Sequence, residues 1–188
     1  MTAPAPVFPT TAPAAWLDTS GLAQAGLALR PATDADLPFL RALYAQTRAA
    51  ELDAVAWPEP ARRAFCDGQF LLQHRHYAAH YVPAAFLVVL RAGAPIGRLT
   101  LHWTAEELRI VDILLDTAVR GQGIGSTLLR WAQDAATVAG VMRLCLHVEW
   151  RNDGARRLYR RFGFREDAAA IAGTHRWMTW RPPEPSVS

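Results

Sequence analysis

The stretch VRGQGIGSTLLRWAQ, from Val119 to Gln133, places three glycines at alternate positions directly before a helical apolar pattern. The strand-like run ELRIVDILL ends just upstream of it. Glycine allows backbone N–H groups to approach an anion closely, and a helix N-terminus adds partial positive charge. A strand, a glycine loop and a helix in this order are therefore typical of a phosphate cradle, although the loop alone fits a plain tight turn equally well.

Missing residue types exclude several classes of phosphate-binding protein. All 20 basic residues are arginine, so the chain lacks the lysine that P-loop nucleotide hydrolases and pyridoxal enzymes require. The dinucleotide fingerprint G-x-G-x-x-G, starting at Gly121, would need glycine at position 126, where the sequence has Ser126. If the loop binds phosphate, the chain therefore belongs to another class of protein.

The chain has the length of one domain, with 188 residues of which 51% are hydrophobic. The Pro- and Ala-rich residues 1–25 predict a flexible extension, with order beginning near Leu27. Residues 26–182 are expected to form the domain and residues 183–188 a short tail. No apolar run approaches the roughly 20 residues that span a bilayer, so no membrane partner is expected.

Cysteine usage and charge favour a cytoplasmic protein without a nucleic-acid partner. Cys66 and Cys145 make neither a disulfide framework nor a zinc pattern, and no basic segment precedes an apolar leader. Abundant Ala, Arg and Pro suggest a bacterial source. The net charge of +3 is spread along the chain, and the one arginine-dense stretch, Arg151 to Arg165, fits the solvated face of a helix.

Hydrophobic periodicity predicts a chain that opens with a strand and helices and then becomes a sheet. The strand LALRPAT is followed by a helix that Thr33 or Asp34 caps, and by a second helical stretch in which Gly68 is a possible break. An antiparallel meander follows, formed by AAFLVVL, PIGRLTLHW and ELRIVDILL. After the glycine loop, a helix, the strand MRLCLHVEW, a helix capped by Asn152 and the strand HRWMTW complete the pattern.

Two blocks together resemble the GCN5-related N-acetyltransferase (GNAT) superfamily. The first is Arg-x-x-Gly-x-Gly at Arg120, Gly123 and Gly125, and the second is NDGARRLYRRFGF, from Asn152 to Phe164. With the upstream LRPATDADLPFLRALY, the resemblance covers roughly Leu27 to Trp180. It implies an α/β fold of mixed α+β type, with a central mixed sheet of about six or seven strands. That sheet would be antiparallel in its first half, splayed at the acetyl-CoA site and flanked by helices on both faces.

The resemblance also implies that acetyl-CoA is the acyl-donor cosubstrate and that no metal is needed. Loop residues would bind its pyrophosphate: Arg120, Gly121, Gln122, Gly123, Ile124, Gly125 and Ser126. The free backbone of Ile113, Leu114 and Leu115 would pair with the pantetheine arm, and one of these amides would polarise the thioester carbonyl. Asn152 would hydrogen-bond the arm, while its position alone favours a helix N-cap.

Tyr159 is the candidate general acid, which would protonate the departing coenzyme A thiolate. Periodicity alone favours a core aromatic residue, whereas the resemblance favours catalysis. The general base stays open among a water chain and five side chains: Glu106, Glu107, Asp112, His147 and Glu149. Glu107 stands where some members of the superfamily carry a catalytic glutamate. Asp112, inside an apolar strand, is expected to have its proton affinity raised by desolvation.

The acceptor is the part of the reaction that the sequence determines least. Glu51, Asp53 and Glu59 are candidates for attracting a cationic amine. His74, His76 and His80 do not share one helix face, so we expect no metal site there. We therefore expect an N-acetyltransferase acting on a primary amine of a small molecule or peptide, as a monomer or homodimer. The alternative is a weakly active acyl-CoA-binding module that serves as a sensor or scaffold.

Overall fold

The computed structural model describes Phe8 and residues 17–183, and within these residues it contains seven strands and five α-helices. The helices are α1 (Ser20–Ala23), α2 (Leu37–Asp53), α3 (Glu59–His80), α4 (Ile124–Val138) and α5 (Asp153–Arg161). The strands are β1 (Leu27–Pro31), β2 (Ala84–Arg91), β3 (Ala94–Trp103), β4 (Glu107–Leu115), β5 (Arg143–Glu149), β6 (Arg165–Ala172) and β7 (His175–Trp180). Within these residues no helix is both long and apolar enough to cross a membrane.

All seven strands belong to one sheet, in the order β1-β2-β3-β4-β5-β7-β6. Neighbouring strands pair antiparallel except β4 and β5, which run parallel. A parallel pair needs a long crossover connection, and α4 supplies it. The expected mixed sheet with an antiparallel first half is therefore confirmed.

The sheet is covered on both faces because the side chains of its central strands alternate. On β2, Leu87 enters a core that it shares with Leu129 of α4, while the next residue, Val88, enters a second core with Phe70 of α3. Each of these four side chains is at most 3% exposed. A strand buried on both faces reads as a continuous apolar run, as AAFLVVL does.

Ordered structure begins upstream of the expected Leu27. Leu17 and Leu22, which flank the start of α1, are buried in the core that α4 shares with the sheet. Trp131 of α4 donates a hydrogen bond from Nε1 to the Asp18 carbonyl at 2.7 Å. Apolar burial and this hydrogen bond hold residues 17–26 against the domain. Most of the expected extension and tail lies outside the described residues.

Two elements differ from the sequence-based expectation. α3 runs without a break through Gly68, because Cys66 and Phe70 on either side are buried and their packing offsets the roughly 1 kcal/mol that glycine costs a helix. The strand patterns did not predict β6, although the resemblance allowed for a seventh strand. Its sequence, REDAAAIA, lacks the alternation of apolar and polar residues that marks a strand, and it pairs with β7 at the edge of the sheet.

The two parallel strands separate halfway along their length. Their pairing ends at Ile110↔Leu146, after which β4 continues to Leu115 beside β3 only, and β5 continues to Glu149 beside β7 only. At the same level β4 has a bulge at Val111, where its register with β3 shifts by one residue. A bulge bends its strand and increases the local twist, so it supports the divergence of β4 from β5. The expected splay is present.

Candidate active site

The space between the diverging strands forms a cleft of about 580 Å³. It receives side chains from both sides of the sheet. Among the residues lining it are Tyr77 of α3, Asp112 and Ile113 of β4, His147 and Glu149 of β5, and Tyr159 of α5. The splay thus brings together sequence-predicted site residues from three different elements, β4, β5 and α5.

Beyond the end of β4, the glycine loop presents free backbone donors at the start of α4. Gly121 and Gly123 adopt left-handed backbone conformations with φ of 75° and 82°, which favour glycine. In the described part of the chain, the amide N–H groups of residues 121–126 find no hydrogen-bond acceptor. Amides without acceptors at the N-terminus of a 15-residue helix make a site for an anion.

Two arginines stand beside this loop. Arg120 donates from Nε to the Leu115 carbonyl at 3.0 Å, which ties the loop to the end of β4. Arg91, from the hairpin between β2 and β3, donates to Oε1 of Gln122 at 2.6 Å. Gln122 in turn donates to the Ala118 carbonyl at 3.1 Å. The two guanidinium groups add positive charge next to the free amides, which suits a pyrophosphate.

Arg91 was not a sequence-predicted site residue. It lies 31 residues before its partner Gln122, so only the folded sheet brings the two together. The loop and its flanking arginines fit a phosphorylated cofactor. A Cβ added at Gly125 would be in ordinary van der Waals contact with Leu158 of α5.

Tyr159 is a buried phenol at the wall of the cleft. Its residue is 7% exposed and packs against Phe164 with ring centroids 5.9 Å apart. Burial, with a smaller contribution from the charge of Asp112, raises the pKa of Tyr159 to about 12. The hydroxyl therefore stays protonated at neutral pH and finds no hydrogen-bond partner among the described residues. Tyr159 thus belongs to the core, as its periodicity predicted, and it also lines the cleft.

Asn152 caps α5 as expected, because its Oδ1 accepts a hydrogen bond from the Ala155 amide at 3.0 Å. It also lines the cleft. At the other end of α5, Gly163 from the same sequence block ends the helix with a φ of 79°.

Asp112 is held by a partner that the sequence did not indicate. Arg98 of β3 donates from Nε to Asp112 Oδ2 at 2.5 Å, and from Nη2 to Gln73 of α3 at 2.6 Å. The Arg98 guanidinium also lies over the rings of Tyr44 and Phe70, at 6.0 and 5.8 Å. Asp112 thus lies inside the apolar strand as expected, but an ion pair with Arg98, which the sequence pattern did not indicate, accompanies its partial burial.

Glu107 lies outside the cleft, at the start of β4 where the strands are still paired. Its carboxylate accepts hydrogen bonds from Arg109 at 2.5 Å and from Arg143 at 2.9 Å. Burial alone would raise the pKa of Glu107, but these two arginines together hold the pKa below its ordinary value. Glu107 and the two arginines thus form a structural ion-pair cluster. Three residues of extended strand, about 10 Å, separate Glu107 from Ile110, which lines the cleft.

His147 is the imidazole that the diverging strands place in the cleft. Its ring lies edge-on to Trp177 of β7, with centroids 4.5 Å apart. Partial desolvation, together with Arg109 and His175 nearby, lowers the pKa of His147 below its ordinary value of 6.5. The ring is therefore largely neutral at pH 7 and can accept a proton.

The three histidines of α3 do not converge on one point. His74 is buried among Phe8, Phe70 and Phe86. His76 and His80 are exposed, with their rings 4.2 Å apart. In the described residues no group of three or more side chains could hold a metal ion.

The acidic residues expected to attract an amine are engaged elsewhere. Glu51 pairs with Arg48 at 3.0 Å, and Asp53 pairs with Arg62. Neither acid lines the cleft, nor does Glu59. On α5, two arginines of the dense stretch are likewise paired within the protein: Arg156 and Arg160 contact Glu166 at 2.9 and 2.6 Å.

Residues 40–164 match the sequence model of the acetyltransferase (GNAT) family. The chain is 31% identical over 147 residues to the aminoalkylphosphonate N-acetyltransferase of Salmonella typhimurium, an alignment that covers 73% of this chain and 84% of that one.

Solved structures show the same fold at low identity. The PaiA N-acetyltransferase of Thermoplasma acidophilum, in complex with coenzyme A, superposes with a TM-score of 0.62 at 18% identity, over 82% of this chain and 98% of that chain. The spermidine N-acetyltransferase of Vibrio cholerae, in complex with CoA and spermine, gives a TM-score of 0.57 at 22% identity, over 84% and 96% of the two chains.

Proposed function

The chain belongs to the acetyltransferase (GNAT) family, and we propose that it transfers an acetyl group from acetyl-CoA to a primary amine of a small molecule or peptide by direct attack in a ternary complex. The observation that carries this proposal is the continuity of the site. The cleft between β4 and β5 contains a buried phenol, and β4 leads from that cleft directly to a loop of free amides. One extended molecule with an acyl group at one end and a pyrophosphate further along fits both parts.

The loop residues would hold the pyrophosphate, with Arg120 and Arg91 flanking it. Ile113, Leu114 and Leu115 would offer their backbone groups to the pantetheine arm, since β4 has no partner strand on that side beyond Ile110. When bound, acetyl-CoA supplies the activated acetyl thioester. An amide of this strand segment would then donate to the carbonyl oxygen, which becomes more negative as the amine attacks.

The proton balance of the reaction uses two side chains of the cleft. The amine nitrogen forms a bond to the carbonyl carbon, and the carbon–sulfur bond breaks. Tyr159 gives its proton to the departing thiolate, and His147 takes the proton that the attacking nitrogen loses, directly or through a water molecule. The products are the N-acetylated amine and the free thiol, and Tyr159 regains its proton from the solvent-connected cleft.

His147 is preferred as the proton acceptor on three grounds. It lines the cleft, its lowered pKa keeps the imidazole neutral at pH 7, and the carboxylates at Asp112 and Glu107 are already bound by arginines. Glu106 lies outside the cleft with Glu107. Glu149 also lines the cleft, and we assign it to acceptor binding.

Two further features of the proposal concern the acceptor and the compartment. The named relatives act on aminoalkylphosphonate and on spermidine, and what these acceptors share is a primary amine.

We place the reaction in a reducing compartment such as the bacterial cytoplasm, since Cys66 and Cys145 are both buried free thiols. The alternative, an acyl-CoA-binding module without turnover, is disfavoured by the open cleft beside Tyr159.

The direct test is product formation from acetyl-CoA and a panel of primary amines. We expect free thiol and N-acetylated amine to appear in equal amounts, with mass spectrometry identifying the amide. Thiol release without acetylated amine would mean hydrolysis, and binding of acetyl-CoA without either product would support the sensor or scaffold alternative.

A further inference from the structure

The charges of the cleft point to a class of acceptor, and this inference rests on the proposed function. No arginine lies among the described residues that line the cleft, and the chain contains no lysine. Two carboxylates line it, from Asp112 and Glu149, along with three histidines and three tyrosines. The cleft thus offers an acceptor no permanently charged cation for pairing with a carboxylate or phosphonate group.

The two carboxylates differ in their availability. Asp112 is neutralised from behind by Arg98, whose side chain is 10% exposed. Glu149 is exposed at the end of β5 and makes no ion pair with a described residue. The net charge that the cleft presents to a ligand is therefore the anion of Glu149, opposite the neutral Arg98–Asp112 pair.

A second feature shows where the reacting end of an acceptor lies. Tyr159 is more than nine-tenths buried, lines the cleft, and has no hydrogen-bond partner for its hydroxyl in the described part of the chain. The phenol therefore marks the position of the departing sulfur and, next to it, of the attacking nitrogen. Glu149 lies on β5, three residues beyond the last residue of that strand that pairs with β4. The reacting nitrogen and the free carboxylate are separate positions in one cleft.

We propose that the preferred acceptor is a small amine with a second cationic group and no acidic group, and that Glu149 binds this second cation. The reacting amine enters toward Tyr159 and loses its proton, while the other group stays charged and pairs with Glu149. An amino acid or an aminophosphonate would bring an anion toward Glu149 without an arginine to receive it. Such like-charge placement selects against the wrong acceptor, in addition to the attraction that selects for the right one.

The test compares primary amines that each contain four carbons and differ only at the far end. Putrescine ends in a second ammonium, n-butylamine in a methyl group and γ-aminobutyrate in a carboxylate. With acetyl-CoA in excess, we expect kcat/KM to fall in the order putrescine, n-butylamine, γ-aminobutyrate. Because Glu149 is exposed, the step between putrescine and n-butylamine should be about threefold to tenfold.

Variants at Glu149 assign the preference to this residue. Glu149→Gln should raise KM for putrescine by about threefold to tenfold, leave KM for n-butylamine within about twofold, and leave kcat for both nearly unchanged. Glu149→Arg should make γ-aminobutyrate a better acceptor than putrescine. The control is Asp134→Asn, which removes one exposed carboxylate from α4, outside the cleft, and should leave all three acceptors unchanged.

The outcomes separate this inference from the proposed function. A wild-type preference for γ-aminobutyrate, or equal losses for putrescine and n-butylamine in Glu149→Gln, would overturn the inference while leaving an active N-acetyltransferase. Absence of any acetylated amine from a protein whose melting temperature rises with acetyl-CoA would overturn the proposed function, and the inference with it.

Discussion

Arg98 donates a hydrogen bond to Asp112 at 2.5 Å, so a buried cation from the antiparallel half of the sheet neutralises the acid at the point where the parallel strands separate. The two residues are diagonal neighbours across β3 and β4, since Asp112 pairs with Thr100, two residues from Arg98. The same guanidinium reaches Gln73, which ties α3 to the sheet beside the cleft. The pair therefore stabilises the cleft wall and limits the role of Asp112 as a free base.

Arg98→Met should destabilise the protein by about 3 kcal/mol, because it leaves the Asp112 carboxylate largely buried without its partner. The double variant Arg98→Met with Asp112→Asn should recover part of this loss, since no unpaired charge then remains. Chemical denaturation of the wild type, both single variants and the double variant measures the coupling. Additive losses, with no recovery in the double variant, would show that the ion pair does not contribute in this way.

Tyr159→Phe should lower kcat by about a hundredfold to ten-thousandfold, because the thiolate then leaves without a positioned acid. Acetyl-CoA should still raise the melting temperature of this variant as it does for the wild type, since the ring and its contact with Phe164 remain. The measurement pairs thiol release with thermal unfolding. A variant that keeps near-wild-type kcat would remove Tyr159 from the mechanism.

The pH dependence of kcat should report the neutral form of His147. Desolvation lowers the pKa of this imidazole below 6.5, so kcat should rise with pH through an inflection below that value and then level off. Tyr159, with a pKa of about 12, stays protonated across this range and adds no inflection.

His147→Gln should abolish the acidic inflection. The control His80→Gln changes an exposed histidine at the end of α3, outside the cleft, and should leave the profile intact. An unchanged inflection in His147→Gln would assign the titration to another group or to the acceptor amine.

Glu107→Gln should reduce stability and leave the pH profile of kcat unaltered. The carboxylate accepts hydrogen bonds from Arg109 and Arg143, and their loss should cost about 1 to 3 kcal/mol. Thermal unfolding and the kcat profile of the same preparation separate the two effects. A lost inflection at preserved stability would instead restore Glu107 as the catalytic base, as the resemblance suggested.

Local signals were sufficient for much of the architecture. The glycines before α4, the cap at Asn152 and the alternating periods of the strands each depend on residues close in sequence, and each is present in the structure. The splay was expected from the resemblance alone. Its physical basis, the bulge at Val111, leaves no mark on the sequence pattern.

The partners within the site depend on tertiary placement and could not be predicted. The bulge at Val111 determines which face of β4 carries Asp112, and only then does Arg98 come within reach of it. Arg91 approaches Gln122 because the hairpin between β2 and β3 ends beside the loop. The availability of Glu149, compared with the paired Glu51 and Asp53, likewise follows only from knowing which arginines lie next to each acid.

The measurement that tests the cofactor site most directly is thermal unfolding with and without acetyl-CoA for the wild type, Gly123→Trp and Gly140→Trp. Gly123 and Gly140 lie at opposite ends of α4, both adopt left-handed backbone with φ of 82° and 66°, and neither would place a Cβ within 4 Å of another atom. The two substitutions therefore strain the backbone similarly, and only the first obstructs the loop amides.

At a hundredfold excess over its dissociation constant, acetyl-CoA should stabilise the wild type by about 2.7 kcal/mol. We predict a clear rise in melting temperature for the wild type and for Gly140→Trp, and none for Gly123→Trp. No rise in the wild type at saturating acetyl-CoA, or an equal rise in all three proteins, would contradict the assignment of the glycine loop as the site of the coenzyme.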